Sequence, residues 1–224
     1  MTYFKQGFLD FYKELAANNN KDWFDANRKR YEEFVKKPFV AFVQAFIDEV
    51  AKEIPTYKEL TASECIFRIN RDIRFSKDKT PYKLFSSAVI APNGKKSHSI
   101  HGIYFELNPE AIRIYGGIYE IDKESLLQLR EGIAVNTKAF RSIIEAPVFK
   151  DHFGEIRGDK NKILPAELKS AAEKEPLLFN KQFYVMTELP AELITSDKLL
   201  ETLRYSFETI KPLEQFFNQY IQRN

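Results

Sequence analysis

The sequence predicts an α+β fold: an antiparallel meander sheet of four to five strands packed with N-terminal and C-terminal helices. Three observations carry this. Apolar residues recur at three- and four-residue spacing before Pro55 and again after Asp122. Between Glu64 and Tyr119 apolar and polar residues alternate, and Asn93-Gly94 and Asn108-Pro109 punctuate the alternation. The 224 residues are 44% hydrophobic and include 20 Phe, enough for one domain with a sizeable core. That domain would span 1–224, with a helical part at 1–55, the sheet at 64–119, and a mostly helical part with one further strand at 122–224.

The helices come first. Phe8, Phe11, Tyr12 and Leu15 make Gln6 to Ala17 an amphipathic helix, ended by Asn18-Asn19-Asn20. Asn20 or Asp22 caps a second helix carrying Trp23, Phe24, Asn27, Tyr31 and Phe34. Pro38 fits a helix first turn, and Phe39, Phe42, Val43, Phe46, Ile47, Val50 and Ile54 form an apolar stripe stopped by Pro55. Asn18 to Asn20, with Trp23, Asn27 and Arg28, could line one side of a pocket, although capping alone explains the asparagines.

The chain is organised around Phe67 to Lys83. Arg68, Arg71, Arg74, Lys77, Lys79 and Lys83 face only Asp72 and Asp78, so this segment is +4 while the whole chain is +2. Local charge of this kind selects a partner. Phe67, Ile69, Ile73 and Phe75 share one parity; Arg68, Asn70, Asp72, Arg74 and Ser76 share the other. That is the pattern of a half-buried strand with a polar row. Arg71 falls on the apolar parity, which a bulge or a partner carboxylate would resolve. Ser76 to Pro81 reads as a loop. Guanidinium forks match phosphate or carboxylate, and Lys adds point charge. Asp72 or Asp78 would orient them or act as base. Ser76 could donate its hydroxyl to phosphate or simply cap the strand, and Tyr82 would donate a hydrogen bond. The competing structural reading pairs these groups among themselves.

Leu84 to Pro92 reads as a strand, Asn93-Gly94 as a two-residue hairpin turn, and Ser97 to Leu107 as the returning strand. Ala111 to Tyr119 follows, interrupted by Gly116-Gly117. A mid-strand Gly pair marks a bulge or a close approach by backbone or ligand, so Gly116 and Gly117 are a candidate ligand seat. Asp122 caps a helix bearing Leu126, Leu129, Arg130 and Ile133. A lone helical Arg is usually a surface residue, but the position of Arg130 just after the Gly pair makes it a weak site candidate. Asn136 opens another helix, Leu164 to Lys174 is helical, and Gln182 to Leu189 is a strand. Ser196 or Asp197 begins a long helix that Pro212 should kink or split.

The run Arg68-Ile-Asn-Arg-Asp-Ile-Arg-Phe-Ser-Lys-Asp-Lys-Thr-Pro-Tyr-Lys83 resembles the hallmark of an uncharacterised bacterial family, domain of unknown function 2461. Asn18 to Arg28 with Tyr31, and Tyr115-Gly-Gly-Ile-Tyr119, are similar to it as well. The resemblance covers most of the chain. It departs between His152 and Lys181, where the family's Pro-Lys-Gly-aromatic motif is not found. The resemblance implies no activity.

Other chemistries have little support in the sequence. His98 and His101 would face opposite sides of a strand, His152 is remote, and no Cys pair or His-Glu-x-x-His occurs, so no metal is expected. No Gly-rich phosphate loop and no Gly-x-Ser-x-Gly elbow is present, and no cofactor is called for. The single Cys65 reads as a core residue of the central strand. No apolar run reaches membrane length and no signal-peptide pattern opens the chain, so no membrane partner and a cytoplasmic location are expected. The favoured partner is an anionic small molecule bound at Arg68 to Lys83, where the residues leave catalysis open. Nucleic acid, stacked on Tyr104, Tyr115 or Tyr119 with Lys95 and Lys96 adding charge, is a less favoured alternative. A scaffold with a structural ion network is the third.

Overall fold

The computed structural model describes residues 1–96 and 102–221. The fold is α+β, with an antiparallel meander of four strands in the order β1-β2-β3-β4. In chain order come α1 (Gln6–Ala17), α2 (Lys21–Ala26), α3 (Arg28–Arg30), a π-helical turn over Tyr31–Lys36, α4 (Lys37–Ala51) and α5 (Ala62–Cys65). The strands β1 (Ser86–Ile90), β2 (Ile103–Leu107) and β3 (Ala111–Ile118) follow. Then come α6 (Lys123–Val135), α7 (Thr137–Ile144), α8 (Pro147–Phe153), α9 (Ala166–Lys174), β4 (Phe183–Pro190) and α10 (Leu199–Asn218).

The chain clusters into two compact units. The first comprises Met1–His98, Tyr104–Ile114 and Glu188–Arg204. Its core is aromatic: Phe4, Phe8, Phe11, Phe42, Phe46 and Phe105 are all fully buried. Their rings meet edge to face, Phe4 on Phe8 at 4.7 Å and Phe42 on Phe105 at 6.0 Å, the arrangement that ring quadrupoles favour. The helix signals behave as their chemistry requires. Asn20 Oδ1 accepts from Trp23 N at 3.0 Å. Pro38 occupies the first turn of α4. A capping box joins Thr61 and Glu64 ahead of α5. Cys65 is fully buried, but in this short helix and not in a strand. Burial pushes its thiol pKa up to about 12.

The second unit comprises Ser99–Ile103, Tyr115–Thr187 and Tyr205–Asn224. Leu129, Ile133, Phe140, Phe149, Phe183 and Phe217 fill its core. Asp122 caps α6 by accepting from Glu124 N and Ser125 N, both at 2.9 Å. Pro212 neither splits α10 nor ends it. The proline is exposed, so water can take up the carbonyl that its missing N–H leaves. Glu214 on the same helix is buried, and both its oxygens accept from Gly102 N at 3.0 Å.

Two expectations about the meander are corrected. Asn93-Gly94 is not a two-residue hairpin turn, because β1 ends at Ile90 and Gly94–Lys96 is a 3-10 turn. Gly94 instead opens a 3-10 turn at φ 53°, where a Cβ would lie 2.5 Å from the Glu64 carbonyl oxygen. The glycine serves a close backbone approach to α5. Phe67 to Phe75 is not a regular strand either. It is extended chain held by isolated antiparallel bridges, Ile66 to Ala88 and Asn70 to Tyr82. His98 and His101, and the start of the returning strand, lie outside the described residues.

Candidate functional site: a cleft at the basic loop

The segment from Ile66 runs out and folds back on itself to reach Ala88. Backbone bonds fasten its base: Phe67 N to Ser87 O, Lys83 N to Ile69 O, and Arg71 N to Pro81 O, at 3.0, 2.8 and 2.9 Å. Beyond Arg71 side chains take over. The Arg71 guanidinium donates to Asp78 Oδ2 at 2.5 Å, to the Thr80 carbonyl at 3.1 Å, and to Thr80 Oγ1. Its other arm reaches Ser76 Oγ at 3.4 Å. These four contacts pull residues 76–80 inward and compete with a regular ladder. The apolar-parity position of Arg71 is thus resolved by a partner carboxylate, Asp78.

The outer part of the loop departs further from the alternating pattern. Phe75 is 95% exposed, although its parity assigned it to the buried row. The Arg74 guanidinium lies 5.9 Å from its ring centroid. Arg74 also forks onto Asp72, Nε to Oδ1 at 3.0 Å and Nη2 to Oδ2 at 2.6 Å. Lys79 Nζ donates to the Ile73 carbonyl at 2.9 Å. Arg68 and Lys77 are exposed and make no ion pair among the described residues.

An open cleft of about 580 Å³ lies against this loop, within the first unit. Arg71, Asp72, Asp78, Thr80, Tyr82 and Lys83 line it, with Asn19 and Phe85. Of the candidate residues read from the sequence, Arg71, Asp72, Asp78, Tyr82 and Lys83 therefore line the same cleft. Arg68, Arg74, Ser76, Lys77 and Lys79 belong to the same loop but do not line the cleft.

Tyr82 is the best-anchored wall residue. Its ring stacks on Phe24 at 4.1 Å and 17°. Its backbone is clamped by one side chain: Asn19 Nδ2 donates to Tyr82 O at 2.9 Å, and Tyr82 N donates to Asn19 Oδ1 at 3.1 Å. An amide side chain thus imitates a neighbouring strand. Thr80 is the contributor that the sequence does not single out; Asn19 belongs to the Asn18 to Asn20 run read as one side of a pocket. The Asn19 role depends on a partner 63 residues away.

Electrostatics separate the wall into fixed and available groups. The hydrogen bonds from Arg74 hold the Asp72 carboxyl below its usual range. Thr80 N–H, then Arg71, do the same for Asp78. A depressed carboxylate is a poor proton acceptor, so neither is tuned as a general base. Lys83 is half-buried between Phe67 and Phe85, its Nζ 5.4 and 5.8 Å from their centroids. Burial lowers its pKa, and the Glu106 charge only partly opposes this. It makes no ion pair among the described residues.

The chain matches the family model described as "Conserved hypothetical protein (DUF2461)" over residues 7–216. It belongs to that family. The resemblance read from Arg68 to Lys83 therefore extends over nearly the whole of this DUF2461 chain. A search of curated proteins gave no match.

Gly116 and Gly117 belong elsewhere in the DUF2461 fold. A Cβ on Gly116 would lie 2.7 Å from Ile210 Cγ1. Gly117 has φ 84°, and a Cβ there would collide with the Phe183 carbonyl oxygen. Helix α10 and strand β4 thus occupy the space that the glycines open, inside the second unit. Among the described residues no cluster of His, Cys, Asp and Glu could hold a metal ion. No described helix is long and apolar enough to cross a membrane.

Proposed function

We propose that the cleft beside the basic loop binds an anionic small molecule through phosphate or carboxylate groups. The observation that carries this reading is Lys83: a partly desolvated ammonium at the wall of a cleft that makes no ion pair among the described residues, Glu106 acting on it only through its charge. A ligand anion would replace the lost hydration and supply the missing counter-charge. Arg71 shapes the wall, Tyr82 gives it a rigid base, and Asn19 locks that base in place. No reaction is assigned.

The test is a thermal-shift screen at low salt with nucleotides, sugar phosphates and dicarboxylates, run on wild type and Lys83→Met. A ligand present at about 100 times its Kd should stabilise wild type by roughly 2.7 kcal/mol. The Lys83→Met midpoint should stay where it was. A ligand that shifts both proteins equally would place the binding elsewhere. Two further variants separate binding from architecture. Arg74→Ala, whose side chain is 76% exposed, should leave the urea midpoint nearly unchanged. Arg71→Ala removes the hub of the loop and should cost about 1–3 kcal/mol in urea unfolding. Equal costs for the two would favour a scaffold role for the whole motif.

Phe75 supports a second reading, a single-stranded nucleic-acid contact. An almost fully exposed aromatic ring beside an arginine, on a basic loop, suits base stacking. Phe75→Ala should then weaken binding to a short single-stranded oligonucleotide by about 1–3 kcal/mol, with affinity falling steeply as salt rises. Unchanged affinity in the variant would remove this reading.

A further inference from the structure

The second unit holds a buried cation that the cleft does not use. Arg130 on α6 is only 4% exposed, contrary to the surface position expected of a lone helical arginine. Among the described residues it has no carboxylate partner. Its Nη2 donates to the Asn180 carbonyl oxygen at 2.8 Å, and its Nε is buried without a partner. Asn180 is 1% exposed, and both Oδ1 and Nδ2 of its side chain are buried without partners. A native interior rarely leaves one such atom unsatisfied, and here three belong to two residues in direct contact.

The surrounding chain is basic. The segment Arg157-Gly158-Asp159-Lys160-Asn161-Lys162 pairs with the chain around Asn180. Lys160 is bridged to Asn180 and Arg157 to Tyr184. Lys181 N donates to the Asp159 carbonyl at 2.7 Å. Gly158 lets this segment come close, since a Cβ there would collide with the Gln182 carbonyl oxygen and stand 3.2 Å from Asn180 Nδ2. Arg157, Lys160, Lys162 and Lys181 are all exposed around the buried pair, with Asp159 as the one acid in the segment.

We infer that Arg130 and Asn180 form a second anion site, built for one tetrahedral oxyanion that carries a proton, hydrogen phosphate being the fit. The unpartnered groups set this choice. Arg130 Nε and Asn180 Nδ2 are donors and need acceptor oxygens; Asn180 Oδ1 is an acceptor and needs a donor. Hydrogen phosphate presents both. Sulfate at neutral pH presents acceptors only, so it would leave Oδ1 facing an oxygen. The exposed lysines and Arg157 would raise the local anion concentration and leave the buried pair to select.

The experiment is a calorimetric titration of inorganic phosphate, with sulfate at matched ionic strength, into wild type, Arg130→Met and Asn180→Leu. Wild type should bind phosphate at least about tenfold more tightly than sulfate, and each variant should lose about tenfold or more in phosphate affinity. Amide hydrogen exchange of wild type with and without phosphate locates the ion even if a variant fails to fold. Phosphate should slow exchange at residues 157–162 and 180–182. Protection confined to residues 68–85 would assign the phosphate to the cleft and overturn this site. So would equal binding of sulfate, wild-type affinity in a folded Asn180→Leu protein, or no phosphate binding by wild type.

Discussion

Arg141→Ala is expected to lower the stability of the protein by about 3 kcal/mol, among the largest effects of any single charge removal in the chain. Glu175 is fully buried, and Arg141 grips it with both arms, Nε to Oε2 at 2.6 Å and Nη2 to Oε1 at 2.7 Å. Removing the arginine leaves a carboxylate in the interior with, among the described residues, the Leu177 amide at 3.0 Å to hold it. The range for breaking a buried pair is about 3–5 kcal/mol; Arg141 is itself 35% exposed, so the lower end applies. Urea unfolding should show a lower midpoint at an unchanged slope. The double replacement Arg141→Met with Glu175→Met should recover much of the loss, because the cost lies in the orphaned charge. A single-variant loss below about 1 kcal/mol would mean that water reaches Glu175. The same carboxylate caps the 3-10 turn Pro176–Phe179, which delivers Asn180. Arg141→Ala should therefore also weaken phosphate binding at the second site.

Glu214 should give the protein a pH dependence of its own. Burial raises its carboxyl well above the ordinary 4.5, against the lowering effect of the Gly102 and Gly117 amides. A raised folded value means that the folded chain binds this proton more tightly than the unfolded chain. The stabilisation is complete below the ordinary glutamate range. It drains away as pH rises through the folded value. Glu214→Gln keeps an acceptor for the amides and removes the titration. Its stability measured from pH 4 to pH 8 should fall less with rising pH than that of wild type. Parallel curves for the two proteins would show that Glu214 titrates normally. Glu214→Ala, which also strips the acceptor, should lose about 1–3 kcal/mol at every pH.

The sequence disclosed the elements better than the site. Helix α1, the caps at Asn20 and Asp122, and strands β1, β3 and β4 follow from spacing and cap chemistry, which are local. The central segment misled because alternation measures parity and not pairing. Arg71 sits where an apolar residue belonged, and its contacts with residues 76–80 turned a would-be strand into a folded loop. Phe75 kept the right parity for burial, yet no strand carried it inward. Arg130 shows the other failure. Nothing in its helix marks it as buried, because its partner Asn180 lies 50 residues away on a turn. The Gly116-Gly117 pair suggests a bulge or a close approach by backbone or ligand, and what lies against Gly116 is Ile210 and not a ligand, while Gly94 serves a close approach to Glu64 and not the hairpin turn that Asn93-Gly94 suggests. Long-range contacts of this kind leave no periodic trace.

Cys65 has a practical consequence. It is the only thiol in the chain, and it lies fully inside the first unit, one residue before the bridge that starts the basic loop. Burial pushes its pKa up to about 12, so almost none of it is thiolate at neutral pH even before access is considered. A thiol reagent can therefore modify the native protein only when α5, or a larger part of the first unit around it, opens. Labelling kinetics would report opening around that one thiol with no engineered probe. Whatever binds beside the loop could then be followed as a slowing of modification at a residue it does not touch.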